Sequence, residues 1–285
     1  MKIIAEVGCN HKGNLEIAKE MSKIAIIECG VDIIKFQKRN PKELLTETEY
    51  NAPHPNPENS YGKTYGEHRE FLEFNILQHK ELKDYIEQLG GIYSCSVWDL
   101  TSAREIISLN PTMIKIPSAC NTDFRLLEFI AKHFENEIHL STGMTKAMEE
   151  VEIIKFFEGY NRLKDIVLYS CVSDYPVTPE DLSLKDIVLK CRNYKKRVKA
   201  IGFSGHHTDI NADISAFTLG AEYIERHFTL DKNWKGTDHK ASLEPCELKK
   251  LRDNLTNIEK SLHYKEKDIL DCELKQRKKL KRIIK

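Results

Sequence analysis

The sequence has no excess charge of either sign: 44 Lys plus Arg stand against 44 Asp plus Glu, for a formal net charge of zero. That balance leaves no electrostatic footprint for a polyanion, so no nucleic-acid partner is expected. No apolar run approaches the ~18 residues of a membrane span, and the opening Met1-Lys2-Ile3-Ile4-Ala5-Glu6 has no signal-type apolar core. A cytoplasmic chain with no membrane partner is the expectation. The eight cysteines, at 9, 29, 95, 120, 171, 191, 246 and 272, include no C-x-x-C pair; reduced, mostly buried thiols are the reading, and no local context marks a nucleophile. Internal repeats and low-complexity segments are also lacking.

What is present is rhythm. Short runs rich in Ile, Val and Tyr alternate with longer amphipathic stretches, as βα units do. Strands are expected at 2–7, 31–37, 91–96, 112–117, 137–141, 165–171, 198–204 and 222–227. Helices are expected at 14–29, 77–89, 99–109, 122–134, 146–158, 184–193, 211–220 and 246–263. Eight such units in 285 residues favour an α/β fold closed as a single-domain (β/α)₈ (TIM) barrel over residues 1–264, followed by a charged tail at 265–285. Residues 38–76, with Pro41, Pro53, Pro55 and Pro57, show little helical period and read as a long loop on the active-site face.

The carboxyl ends of barrel strands surround the substrate, and here they are polar. Glu6, Lys35, Gln37, Ser94, Ser96, Lys115, Ser118, Ser141, Ser173, Tyr175, Ser204, His206, Glu225 and His227 stand at or just past the eight ends. Several are two apart, which puts both on one strand face. His206 and His227, on neighbouring strands, are candidate ligands of an octahedral divalent ion such as Mn²⁺, the remaining positions going to water and substrate oxygens. His11, His207 and His239 also fall near this face and leave the ligand set open. Lys35 and Lys115, with Ser96, Ser118, Ser141 and Ser173, suit a small anion carrying both carboxylate and phosphate. A Schiff-base lysine, or plain ion pairing with Glu6 or Glu225, are the alternatives.

Several segments resemble the sialic acid synthases and their pseudaminic, legionaminic and spore-coat relatives. They are AEVGCNHKGN (5–14), DIIKFQ (32–37), IKIPSACN (114–121), LSTGM (140–144), CVSDYP (171–176), GFSGHH (202–207) and the stretch LGAEYIERHFTLD to KGTDHKASLEP (219–245). The resemblance implies a barrel of carbohydrate biosynthesis that condenses phosphoenolpyruvate with an aldose, giving a 2-keto-3-deoxy sugar acid and phosphate. It implies a divalent cofactor, Mn²⁺ first with Mg²⁺ or Co²⁺ as alternatives, and a homodimer. It places His206 and His227 as metal ligands, and Lys35, Ser96, Lys115, Ser118, Ser141, Ser173 and Tyr175 in the phosphoenolpyruvate pocket. Glu6, Gln37 and Asp238 fall where the family holds water and acceptor sugar, with Glu6 expected to position or deprotonate the water.

The pattern departs from the family in two places. Relatives usually continue into a small antifreeze-protein-like domain that supplies an arginine to the partner subunit's acceptor; this sequence reaches Lys285 just after ELKQRKKLKR and is expected to lack it. At Gly205-His206 the commoner pattern has Asp-His, so a carboxylate beside the metal histidine is missing. The segment YGEHREFLEF (65–74) is either an amphipathic turn capping the barrel or a source of Arg69 or His68 for the acceptor.

Overall fold

In the computed structural model, which describes residues 1–282, the apolar runs form parallel strands that close on themselves in chain order. They are β1 (Lys2–Gly8), β2 (Ile33–Lys38), β3 (Ile92–Val97), β4 (Met113–Ile116), β5 (Glu137–Ser141), β6 (Ile166–Cys171), β7 (Ala200–Gly205) and β8 (Tyr223–His227). The helices are α1 (Leu15–Lys23), α2 (Pro41–Leu44), α3 (Glu47–Asn51), α4 (Tyr65–Leu72), α5 (Ile76–Gln88) and α6 (Leu100–Ser108), then α7 (Phe124–His133), α8 (Ala147–Gly159), α9 (Lys185–Tyr194), α10 (Asn211–Thr218), α11 (Pro245–Ser261) and α12 (Asp271–Leu280). The (β/α)₈ barrel expected from the sequence is the observed architecture. Among the described residues no helix is long and apolar enough to cross a membrane.

Both faces of each strand are buried, which is why the strands read as near-continuous apolar runs. Outward side chains such as Ile3, Ala5, Ile34, Phe36, Ile114, Leu168 and Phe203 belong to the core shared with the helices; each large one contributes about 1.5–3 kcal/mol by burial. Inward side chains change character along the barrel axis. Ile4, Ile33, Met113, Val167, Ala200 and Tyr223 form an apolar plug at the amino end. Two residues further on, the same inner faces carry Glu6, Lys35, Lys115, Tyr169, Gly202 and Glu225. Gly202 is required there, because a Cβ would meet the Tyr169 ring at 2.5–2.8 Å. Helix starts on the same side of the barrel are fixed by Asn14, Asp99 and Asp123, whose side chains accept from backbone N–H groups of the first turns.

The long segment after β2 is not structureless. Residues 38–76 contain α2, α3 and α4. The first two, four and five residues long, are too short for a 3.6-residue period to show. They are held instead by end chemistry: Pro41 opens α2, Thr46 and Glu49 form a capping box on α3, and Thr64 caps α4. After α11 comes an exposed connection and then α12, which has no buried residue; the last three residues of the expected tail lie outside the described residues.

Between the inward Glu225 and His227, Arg226 points to the helix layer and is fully buried. It pairs with Asp213 of α10, donates to His207 Nε2 (3.0 Å) and to the Asp209 carbonyl (2.8 Å), and also reaches the His207 carbonyl. Removing one partner of such a pair strands a charge. Asp213→Ala is therefore expected to cost about 3–5 kcal/mol, read as a lowered midpoint in urea unfolding. An unchanged midpoint would mean that the pair adds nothing net.

Candidate active site

The parallel register brings the polar strand ends level: Glu6 faces Lys35 and His227, Lys35 faces Ser94, Gln37 faces Ser96, Ser96 faces Lys115, and Ser204 faces Glu225. The result is a cavity of about 220 Å³ at the carboxyl end of the barrel. Glu6, Lys35, Gln37, Ser96, Lys115, Ser118, Ser141, Ser173, Tyr175, His206 and His227 all line it. Asp238 does not; it lines an adjoining cavity of similar size, its Oδ2 3.9 Å from His227 Nδ1.

The deepest corner is ionic. Lys35 Nζ pairs with Glu6 Oε2, donates to Ser96 Oγ (2.8 Å) and lies 3.6 Å from Glu225 Oε1. Lys115 Nζ pairs with Glu225 Oε2 (3.0 Å) and sits 3.5 Å above the centre of the Tyr169 ring. Ser204 donates to Glu225 Oε1 (3.1 Å). Two ammoniums against two carboxylates leave no net charge in this corner. Glu225, which sequence reasoning treated only as a possible ion-pair partner, is the bridge between the lysines. Its signal was the spacing of two from His227, which puts both on the inner face.

The second corner is built of hydroxyls. Ser118 Oγ accepts from Gly143 N (3.0 Å), and a Cβ at Gly143 would collide with both Ser118 Oγ and Ser173 Oγ, so the two hydroxyls converge on that glycine. The third corner is aromatic and imidazole. His206 and His227 have ring centroids 5.6 Å apart, with Tyr175 4.2 Å from His206 and 5.9 Å from His227. His206 Nδ1 lies 2.8 Å from the Val172 carbonyl, so it carries the proton and leaves Nε2 as the lone-pair nitrogen. Among the described residues His227 Nδ1 is buried with no hydrogen-bond partner. Gly8 (φ +54°) closes the gap between corners: a Cβ there would lie 2.9 Å from Gln37 Nε2, 3.1 Å from Glu6 Oε1 and 3.5 Å from His227 Cε1. Gln37 Nε2 donates to Glu6 Oε1 (3.1 Å).

Burial sets the proton affinities. Desolvation raises Glu6 above the ordinary carboxylate value, against the pull of Lys35 and His227. It also lowers Lys115, which Glu225 only partly offsets. Lys35, by contrast, is raised: desolvation is outweighed by Glu225 and Glu6 together. His206 falls to about 3 through burial and the neighbouring His227, so it is neutral at physiological pH and free to act as a ligand.

The other three histidines do not enter this cavity. His11 stacks on Phe74 with centroids 4.0 Å apart and accepts from Gly13 N. His207 belongs to the Arg226–Asp213 cluster outside the strands, and His239 bonds to Thr229 Oγ1 (2.7 Å). Among the described residues no three His, Cys, Asp or Glu side chains gather as a complete metal site. Two imidazoles are what this chain offers, and the orphaned His227 Nδ1 and the free His206 Nε2 fit an ion that completes its shell elsewhere.

These features define a class: a (β/α)₈-barrel enzyme with lysines and hydroxyls gathered beside a pair of imidazoles at the carboxyl end of the barrel. Residues 23–267 match the model of the NeuB family. The chain is 37% identical over 280 residues to the N-acetylneuraminate-9-phosphate synthase of Homo sapiens, covering 98% of this chain and 76% of that protein. It is 35% identical to the N,N'-diacetyllegionaminic acid synthase of Campylobacter jejuni, over 91% of this chain and 77% of the relative. The crystal structure of N-acetylneuraminic acid (sialic acid) synthetase from Leptospira borgpetersenii in complex with citrate superposes with a TM-score of 0.80 at 27% identity, covering 99% of this chain and 92% of that one. The chain belongs to the NeuB family, the sialic acid synthase family that its motifs resemble, and is a carbon–carbon bond-forming transferase of carbohydrate biosynthesis.

Proposed function

We propose that this enzyme condenses phosphoenolpyruvate with the aldehyde of an N-acetylated aldose, giving a nine-carbon 2-keto-3-deoxy sugar acid and phosphate, with a divalent cation held by His206 and His227. The observation that carries the reading is the convergence, in one cavity, of two lysines, a hydroxyl corner and two imidazoles. Phosphoenolpyruvate needs two anion sites, and the lysine corner and the Ser118–Ser173 corner supply them.

Charge supports the cation. The buried lysines are already balanced by Glu6 and Glu225, so a substrate bearing carboxylate and phosphate brings negative charge into a neutral pocket, and further positive charge must accompany it. A divalent ion, Mn²⁺ by the donor set with Mg²⁺ or Co²⁺ as alternatives, supplies that charge and polarises the aldehyde.

The chain's own residues account for the rest. Lys35, Lys115 and Ser96 fix the enol phosphate, with Ser141 and Tyr175 closing the walls, so that C3 faces the acceptor and the encounter becomes effectively intramolecular. C3 forms a bond to the aldehyde carbon, the aldehyde oxygen takes a proton, and water adds to C2 before its C–O bond to phosphate breaks. Glu6, raised by burial and oriented by Gln37, takes the proton from that water. Asp238, held below its ordinary value chiefly by His227 despite burial, stays ionised as an acceptor for sugar hydroxyls at the edge of the adjoining cavity.

The test is product formation. With phosphoenolpyruvate, N-acetylmannosamine or its 6-phosphate, and Mn²⁺, one phosphate should appear per sugar acid detected by mass spectrometry, and a chelator should stop both. Turnover unaffected by the chelator, or equal turnover with pyruvate, would reject the reading.

A further inference from the structure

Beneath the reactive cavity the barrel interior holds a second polar group that the condensation leaves unused. His139 stands level with Lys115 on the inner face of β5, and Glu137 lies two residues below it, level with Met113. Tyr169 of β6 and Tyr223 of β8 complete the set. None of the four lines the cavity, and Tyr169 and His139 are fully buried. At the neighbouring inner positions the chain uses Ile4, Ile33, Met113, Val167 and Ala200. A carboxylate and an imidazole buried among such side chains are costly unless fully bonded. Here they are bonded: His139 Nε2 lies 2.8 Å from Glu137 Oε1, which also accepts from the Tyr223 hydroxyl (2.7 Å), and Lys199 Nζ lies 2.6 Å from Glu137 Oε2.

These bonds fix where the protons lie. Burial raises Glu137, but the bonds from His139, Lys199 and Tyr223 outweigh it and bring it down to about 2, so this carboxylate only accepts. His139 is lowered by burial, against the pull of Glu137. Its Nε2 carries the proton given to Glu137, and Nδ1 holds the lone pair. The Tyr169 hydroxyl, 2.7 Å from that nitrogen, donates to it. A phenol that gives up part of its proton to a carboxylate-backed imidazole has an electron-rich ring, and Lys115 Nζ sits 3.5 Å from the centroid of this one. The backbone of Gly202 lies against the same ring, close enough that a Cβ would meet Tyr169 Cε1 at 2.5 Å.

We propose that Tyr169, set in place by His139 and Glu137, is a positioning residue for Lys115: its ring face holds the ammonium at the cavity floor without cancelling its charge, which is left for the incoming anion. The contrast with Lys35 carries this. Lys35 lies between two carboxylates, Glu6 and Glu225, and also donates to Ser96. Lys115 has Glu225, which it shares with Lys35, and the ring. Glu225 and the ring occupy two of its three N–H groups, so one remains for a ligand. The inference rests on the proposed condensation, in which Lys115 holds phosphoenolpyruvate.

The test is a double-mutant cycle read in KM for phosphoenolpyruvate and KM for the acceptor, with N-acetylmannosamine and its 6-phosphate both offered. Tyr169→Leu should raise KM for phosphoenolpyruvate about thirtyfold, the loss of one desolvated cation–π contact, and shift KM for the acceptor by less than about twofold. Tyr169→Phe, which keeps the ring and loses the bond to His139, should raise KM for phosphoenolpyruvate only about threefold. In a Lys115→Met background neither change should alter it by more than about twofold. If Tyr169→Leu does not fold, Tyr169→Phe reads the same coupling to Lys115. KM values that rise alike for both substrates, or losses that add in the double variants, overturn the positioning role and leave the condensation standing. A wild type that couples phosphoenolpyruvate to neither acceptor overturns both.

Discussion

Replacing His227 with alanine is expected to lower turnover at least on the order of a thousandfold while the barrel stays folded. Its imidazole is half of what this chain offers a cation, and loss of about 4 kcal/mol of charge stabilisation corresponds to that factor. The fold should tolerate the change, since among the described residues His227 Nδ1 has no hydrogen-bond partner to lose. The decisive pair of measurements is Mn²⁺ affinity by calorimetry and single-turnover phosphate release. Both should fall together, with the circular dichroism spectrum unaltered. Wild-type turnover in His227→Ala would show that the cation, if used, is held elsewhere.

Lys115→Met carries the second large effect. Truncating one member of a buried, hydrogen-bonded charge pair costs about 2–5 kcal/mol, here both in holding the enol phosphate and in leaving Glu225 with Lys35 alone. A loss of kcat/KM between about thirtyfold and several thousandfold is expected. The double variant Lys115→Met/Glu225→Gln separates the two contributions: it should regain stability without regaining phosphoenolpyruvate affinity. The lysine also sets an alkaline limit. Burial lowers Lys115 beneath the ordinary 10.5, and Glu225 opposes that shift. On the proposed reading the protonated form binds the anion, so kcat/KM should decline with rising pH at a point below 10.5. In Glu225→Gln the decline should begin at lower pH still, because the carboxylate that favours the ammonium is gone; a shift to higher pH would contradict the assignment.

Much of this site was readable because barrel strands impose a period of two. Lys35 with Gln37 and Glu225 with His227 had to share the inner face once the strands were placed, and the register then levelled them. What the period does not carry is partner choice. Nothing in the spacing says that Glu225 bridges Lys35 and Lys115, since that depends on contacts over separations of 190 and 110 positions. Proximity to a strand end also misleads when the side chain belongs to a loop. His207 follows His206 directly yet turns to Asp213, and His11 and His239 are absorbed by Phe74 and Thr229. Helices α2 and α3 stayed hidden because such short helices rest on caps rather than on an apolar stripe, whereas α4 falls on the segment 65–74 for which an amphipathic turn was one of the two readings. That this segment walls the adjoining cavity was visible only through the isolated candidates His68 and Arg69.

Strand β8 places its two interior groups and its outer anchor on three consecutive residues. A slip of one residue against β1 or β7 would swing the Arg226 guanidinium into the chamber and eject Glu225 and His227 among the helices, exchanging a cationic obstruction for the whole reactive corner. The bond network clasping Arg226 from outside therefore acts as a ratchet on the inside: the strand has one seating in which it can be both anchored and chemically competent.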